Sequence, residues 1–319
     1  MPQPKRITII LAFAAIYLIW GSTYLGILFA IQSIPPFLMA GARFCISGSI
    51  MYVAARLTGS PRPNQVTWRS SLIVGGCLLL CGNGAVSISE QWVPSGLASL
   101  LVATVPIYMA LLGWLTRIAP RPAPIVWLGL IGGFIGVGML VGPALTTVMT
   151  TSSNHFALGV CILLLGSLIW SIGSLYSRTA VSSPTLILAA GQQMICGGTL
   201  LFLVGLAFGE QHRFDLANVT PLSMWAFAYL VVIGALIGYT AYFWLLRHCE
   251  PAKVATYAYV NPVVAVLLGT LFAHESLSPS TLIGAGLIVG SVAVVITAQQ
   301  FAPKPAQPLT THKAVDCAT

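Results

Sequence analysis

Apolar residues run along this chain in long unbroken stretches, and the polar positions gather into short clusters that separate one stretch from the next. Ten apolar runs can be read, at about 7–29, 36–57, 70–89, 95–116, 124–143, 156–177, 184–208, 222–246, 251–273 and 278–298. Each is near the length that a helix rising 1.5 Å per residue needs to cross a hydrocarbon core of ~30 Å. The connections are short and carry the Pro, Gly, Ser and Asn of turns, so no soluble domain fits between them. The pattern predicts an all-α polytopic membrane protein with ten transmembrane helices. The first run follows Lys5 and Arg6 as a signal peptide would, but its length and its Tyr17, Trp20 and Tyr24 make it an expected uncleaved first span.

Composition strengthens this expectation. Only 6% of the 319 residues are charged and 57% are hydrophobic, with a mean hydropathy of +0.92; soluble chains are roughly one-quarter charged. The net charge of +8 comes from 14 basic residues scattered singly between apolar runs. They form no stripe that could follow a phosphate backbone, so nucleic acid is not an expected partner. Their placement instead sets an orientation. With the N-terminus in the cytoplasm, twelve of them, from Lys5 and Arg6 to Lys304 and Lys313, fall on the inner side, and Arg213 alone lies in an outer loop. Such a bias is that of ten spans with both termini cytoplasmic.

The chain also repeats itself. Residues 18–20 and 168–170 both read LIW, and the same offset of 150 sets Leu38, Ala40, Gly41 and Gly48 on Leu188, Ala190, Gly191 and Gly198. Farther along the offset becomes 156, and Gly82, Ala85, Pro106 and Gly113 fall on Gly238, Ala241, Pro262 and Gly269. Five spans per half is an odd number, so the second copy enters the membrane from the opposite side. The expected organisation is a short cytoplasmic start (1–6), a first repeat (7–143), an outer connection (144–155), an inverted second repeat (156–298) and a Pro- and Ala-rich cytoplasmic tail (299–319) expected to be disordered. Inverted repeats that exchange conformations give alternating access to a site near the midplane, which points to a transporter.

The strings IWGSTYLGILFAIQSIPPFLMAGARF, ATVPIYMALLG and YAYVNPVVAVLLG resemble spans one, two, four and nine of EamA-type members of the drug/metabolite transporter superfamily. The resemblance extends over about residues 7–298. It implies ten helices in two inverted halves, a central cavity lined from both, a multi-pass location in a bacterial inner membrane, and export of small organic solutes. Many members carry Lys or Arg shortly after the WGS string; here Gly26, Ile27 and Leu28 stand there.

Polar side chains inside spans are costly unless they face protein or water, so they are the site candidates. Arg43 lies about seven residues, or roughly 10 Å, from the outer end of its helix. Two readings are open: its long side chain reaches the outer headgroups, or it is a gate or substrate contact in the cavity. Its repeat counterpart is Gln193, on the inner half, so the pair would flank a central site. Glu90, the only carboxylate of the first half, is a candidate to pair with Arg43 in one state and release it in the other. Asn83 and Tyr239 are counterparts that can offer hydrogen bonds from opposite sides. Tyr257, Tyr259 and Asn261 precede Pro262, and Pro262 and its counterpart Pro106 are hinge candidates or static kinks. Trp20 and Trp170, near the middle of their helices, form a ligand wall or simply pack.

The remaining features are plainer. Gly129, Gly132, Gly133 and Gly136, with Gly286 and Gly290, have the small-xxx-small spacing of close helix contacts. The seven cysteines make no disulfide framework, and Cys77 with Cys81 lacks His or carboxylate company for a metal, so no cofactor or metal is expected. A membrane enzyme is the alternative of another class, but all five histidines fall in loops or the tail and no Asp lies in a span. A facilitator or uptake permease is the nearer alternative. The expected partners are a small-molecule substrate, membrane lipids and a proton as coupling ion, for which Glu90 and Glu275 approach the membrane from outside.

Overall fold

The computed structural model describes residues 5–93, 95–149, 154–273 and 279–298. The predicted tail, together with Glu275, lies outside the described residues. The regular structure among them is all helical, with no strand. The helices are α1 (Arg6–Ala30), α2 (Pro36–Leu57), α3 (Gln65–Ser89), α4 (Ser95–Val102 and Val105–Leu115), α5 (Pro124–Met149), α6 (Asn154–Thr179), α7 (Leu186–Ala207), α8 (Pro221–His248), α9 (Tyr257–Ala273) and α10 (Pro279–Ala298). Seven of them contain segments long and apolar enough to cross a membrane: α1 to α4 and α6 to α8. α5 and α10 hold shorter apolar stretches, Pro124–Met139 and Ile283–Val295. α5 continues past residue 143 to Met149, so the connection to α6 is shorter than the pattern suggested.

α2 and α7 form the most extensively packed pair, and the glycines explain why. A Cβ on Gly48 would lie 2.9 Å from the carbonyl oxygen of Gly191, and one on Gly191 would lie 3.1 Å from that of Gly48. A Cβ on Gly198 would lie 3.0 Å from the carbonyl oxygen of Gly41. The two helices therefore touch backbone to backbone, the approach that small residues permit where lipid supplies no hydrophobic drive. The contacts 48 with 191 and 41 with 198 also become each other under the offset of 150.

The helix ends follow the same exchange. α2 stops at Gly59 and α7 at Gly209, both with φ in the left-handed region, at +87° and +73°, where glycine costs least. The next residue in each case crosses to the other helix. The Ser60 hydroxyl lies 3.0 Å from that of Thr185, the N-cap of α7. The Glu210 carboxylate accepts the Leu38 N–H at 2.8 Å and the Phe37 N–H at 3.3 Å, closing the first turn of α2. A carboxylate there satisfies open amides and meets the positive end of the helix.

α5 packs against α10 in a second close pair. Added Cβ atoms on Gly129, Gly132 and Gly136 would meet Val295, Ser291 and the Gly284 carbonyl. Gly286 and Gly290 depart from expectation: nothing lies within 4 Å of either added Cβ. The spacing was right for a close contact, but the face of α10 turned to α5 carries Gly284, Ile288, Ser291 and Val295 instead.

α3 and α8 each contain a stretch of wider, π-helical turns, at Gly76–Asn83 and Leu230–Tyr239. Both end on a repeat counterpart, Asn83 in one and Tyr239 in the other. A π turn adds a residue between successive contacts and re-aims the side chains at its end.

Candidate functional site

A cavity of about 70 Å³ lies in the middle of the molecule, with room for on the order of five water molecules. Helical spacing builds its walls. α1 contributes Trp20, Thr23, Tyr24 and Ile27; α3 contributes Leu79, Gly82, Asn83 and Val86; α6 contributes Leu163, Gly166, Ser167 and Trp170. Each set is the i, i+3, i+4, i+7 stripe of one helix face. Arg43 from α2, Tyr239 from α8, and Tyr257 and Asn261 from α9 complete the polar part.

Aromatic rings cluster at one part of the cavity wall. Trp20 and Trp170, repeat counterparts, meet edge to face at 5.6 Å between centroids, and Tyr242 and Tyr257 lie 4.8 Å from Trp20. The indole N–H of Trp170 donates to the Tyr242 hydroxyl at 3.0 Å, which also lies 2.7 Å from the Ser174 hydroxyl. The Trp20 N–H donates to the Gly234 carbonyl at 3.3 Å. Each indole lies against a glycine of the other half's helix: Trp170 against Gly82, and Trp20 against Gly238, whose added Cβ would lie 2.6 Å from the Trp20 nitrogen. Both tryptophans thus pack and line the cavity.

Arg43 does not reach the surface. The residue is 3% exposed, lines the cavity, and holds its guanidinium carbon 4.2 Å from the centre of the Phe44 ring. Its Nε and Nη1 have no hydrogen-bond partner. Its counterpart Gln193 is also buried but is satisfied: the Tyr239 hydroxyl donates to Gln193 Oε1 at 2.8 Å. Asn83, the counterpart of Tyr239, has a buried Oδ1 without partner.

Four candidates, Glu90, Tyr259 and the two prolines, stand apart from this group. Glu90 caps the end of α3, is 6% exposed, and neither carboxylate oxygen has a hydrogen-bond partner; it does not line the cavity and is not hydrogen-bonded to Arg43. Tyr259 points away, its hydroxyl donating to the Leu130 carbonyl on α5 at 2.8 Å and its ring lying on Gly133. Two residues along a helix is about 200°, so Tyr257 and Asn261 share a face that Tyr259 cannot. The prolines differ in setting. α4 breaks at Ala103 and Thr104, with Pro106 in the first turn of its second piece, whereas Pro262 sits inside a continuous α9, which a short helix, Pro251–Val254, precedes.

The sequence expectations omitted Tyr24, Ser167 and Tyr242 from the site. The first two were within reach, since Tyr24 is one turn from Trp20 and Ser167 one turn from Trp170. Tyr242 carried no signal of its own.

The EamA-like transporter family model matches this chain twice, over residues 6–142 and 157–297. The chain belongs to the EamA-like transporter family. Among its family relatives, the uncharacterized inner membrane transporter YedA of Escherichia coli is 35% identical over 294 residues, 92% of each chain. The uncharacterized transporter YvbV of Bacillus subtilis is 27% identical over 300 residues, 92% of this chain and 93% of its own. A WAT1-related chloroplastic protein of Arabidopsis thaliana is 23% identical over 285 residues, 88% of this chain and 67% of its own. A solved crystal structure superposes with a TM-score of 0.73 at 19% identity, over 93% of this chain and 100% of that one; at that identity the likeness is one of fold. For an EamA-family chain, a polar and aromatic cavity between two matched segments is a natural place for a transported solute.

Proposed function

We propose that this chain is a secondary transporter of the inner membrane, exporting a small organic metabolite, amino acid or amphipathic solute by alternating access between two inverted five-helix halves. The ten spans are α1 to α10, with residues 7–143 and 156–298 as the halves and both termini cytoplasmic. No covalent change to the solute is involved.

The observation that carries this reading is the reciprocity of contacts. Gly48 with Gly191 becomes Gly198 with Gly41, and Trp170 on Gly82 becomes Trp20 on Gly238, when the halves are exchanged. Like segments packed in this way are related by a two-fold axis across the pair, the relation that lets two halves trade conformations. At the cavity the exchange fails. Tyr239 is bonded to Gln193, while Asn83 and Arg43 stand open against the cavity. With the N-terminus inside, the Trp20, Trp170, Tyr242 and Tyr257 cluster lies on the cytoplasmic side of Arg43, and we read this conformer as the outward-facing one. Its counterpart has Arg43 against Asn83 and Gln193 parted from Tyr239. Glu90 is the candidate proton site for coupling.

Uptake of a labelled solute panel into everted vesicles and proteoliposomes, with and without a proton gradient, tests the reading. Expected are saturable flux of at least one solute and its loss in Trp170→Ala. A Ser167→Cys probe in a background with the native cysteines replaced should react with an impermeant thiol reagent from outside, and from inside once solute is supplied. Equal labelling from both faces without solute, together with no saturable flux, would sink it. Flux indifferent to the gradient would make the protein a facilitator.

A further inference from the structure

The central cavity presents a set of polar atoms that the protein itself leaves unused. Arg43 Nε and Nη1, Asn83 Oδ1, Asn261 Oδ1 and Ser167 Oγ are all buried, all on residues of the cavity wall, and all without a hydrogen-bond partner. Buried polar atoms are nearly always paired, and a guanidinium taken out of water most of all. Four such side chains around one cavity mark a ligand's place.

Their types say what the ligand carries. Among the described residues, Arg43 is the only charged side chain of the lining, so the cavity has the charge of one guanidinium and no lining carboxylate to offset it. Glu90 does not pair with it, since its carboxylate is off the lining and neither oxygen has a hydrogen-bond partner. An anion therefore meets a fixed, partly desolvated cation, and an organic cation meets like charge. The two amide oxygens are acceptors and call for a donor. The volume of about 70 Å³ and the Ile27, Leu79 and tryptophan walls leave space for a short apolar body.

We propose that the cavity binds a small carboxylate solute whose carboxylate accepts from Arg43, and whose own donor, a hydroxyl or an ammonium, is accepted by Asn83 and Asn261. The proposal rests on the transporter reading and names a substrate class for it. A 2-hydroxy acid and a 2-amino acid share this chemistry, and the arms of the test separate them.

The test uses the purified full chain in lipid nanodiscs, with binding read by calorimetry and by tryptophan fluorescence. The probes are 2-hydroxyisovalerate and valine, the amide of each, and tetramethylammonium. Expected is saturable binding of one or both acids, with the amides weaker by roughly tenfold or more, as loss of a charged hydrogen bond implies. Arg43→Gln should weaken the acids by a similar factor and leave the amides unchanged. The acid that binds more tightly identifies the donor as hydroxyl or ammonium. The proposal is overturned if neither acid binds, if the amides bind as well as the acids, or if tetramethylammonium competes. Should Arg43→Gln not be recovered as a folded protein, the acid and amide comparison on the unaltered chain decides alone. If another solute moves by a Trp170-dependent route while neither acid binds, transport stands and the carboxylate site falls. If the acids bind through Arg43 but no solute moves, the site stands and transport falls.

Discussion

Tyr239 donates its phenolic proton to Gln193 across 2.8 Å, at the position where, in the other half, Asn83 and Arg43 have open polar atoms. One pair of counterparts is latched and the other is not. Removing the latch by Tyr239→Phe leaves the Gln193 oxygen unsatisfied at a cost of about 1–3 kcal/mol. The expected outcome is a shift of roughly five- to a hundredfold toward the inward-facing conformer. Thiol labelling of Ser167→Cys from each side measures it, and an unchanged ratio would mean that the bond takes no part in the switch.

Arg43 Nε and Nη1 and both carboxylate oxygens of Glu90 are buried without hydrogen-bond partners, and the two side chains are not hydrogen-bonded to one another in this conformer. If they meet in the alternative conformer, Glu90→Gln should lower transport at least severalfold. The combined Arg43→Gln and Glu90→Gln variant should then lose less than the two single losses added together. Simple additivity of the two effects in initial-rate measurements would show that the residues act separately.

The backbone contact between α2 and α7 predicts a sharp contrast among glycines. Gly48→Ala would place a Cβ within 2.7 Å of the Ile195 nitrogen and 2.9 Å of the Gly191 oxygen, so a loss of about 1–3 kcal/mol or more is expected from overpacking. Gly286→Ala and Gly290→Ala meet nothing within 4 Å and should be neutral or slightly stabilising, since alanine favours helix. Thermal denaturation in detergent compares the three; equal melting temperatures would contradict the packing.

Glu210→Ala should release two amides at the start of α2 and destabilise the fold by about 1 kcal/mol. Glu210→Gln, which keeps an acceptor oxygen, should recover part of that loss. A melting series across the two variants and the parent provides the check.

Much of the cavity was legible because the repeat placed residues in pairs: Trp20 with Trp170, Arg43 with Gln193, Asn83 with Tyr239. An offset identifies positions without needing to know what they touch. What was not legible depended on which way a helix face turned. Tyr259 was grouped with Tyr257 and Asn261 by nearness in sequence, although the helical turn sets it against α5. Gly286 and Gly290 kept the right spacing on the wrong face of α10. The π turns ending at Asn83 and Tyr239 leave no mark in an apolar pattern, because one extra residue per turn is within the scatter of a uniformly greasy helix. The role of Glu210 needed a partner 172 residues away.

That separation bears on how the protein is made. α2 leaves the ribosome with its first amides bare and its glycine groove empty, and both are completed only when α7 and Glu210 have been translated. The first half is thus an unfinished product for most of synthesis, and the insertion machinery must shelter it. Chains interrupted between α5 and α6 should regain function when both pieces are co-expressed and neither should persist alone, because the first piece lacks the cap that Glu210 supplies and each lacks the glycine face of the other.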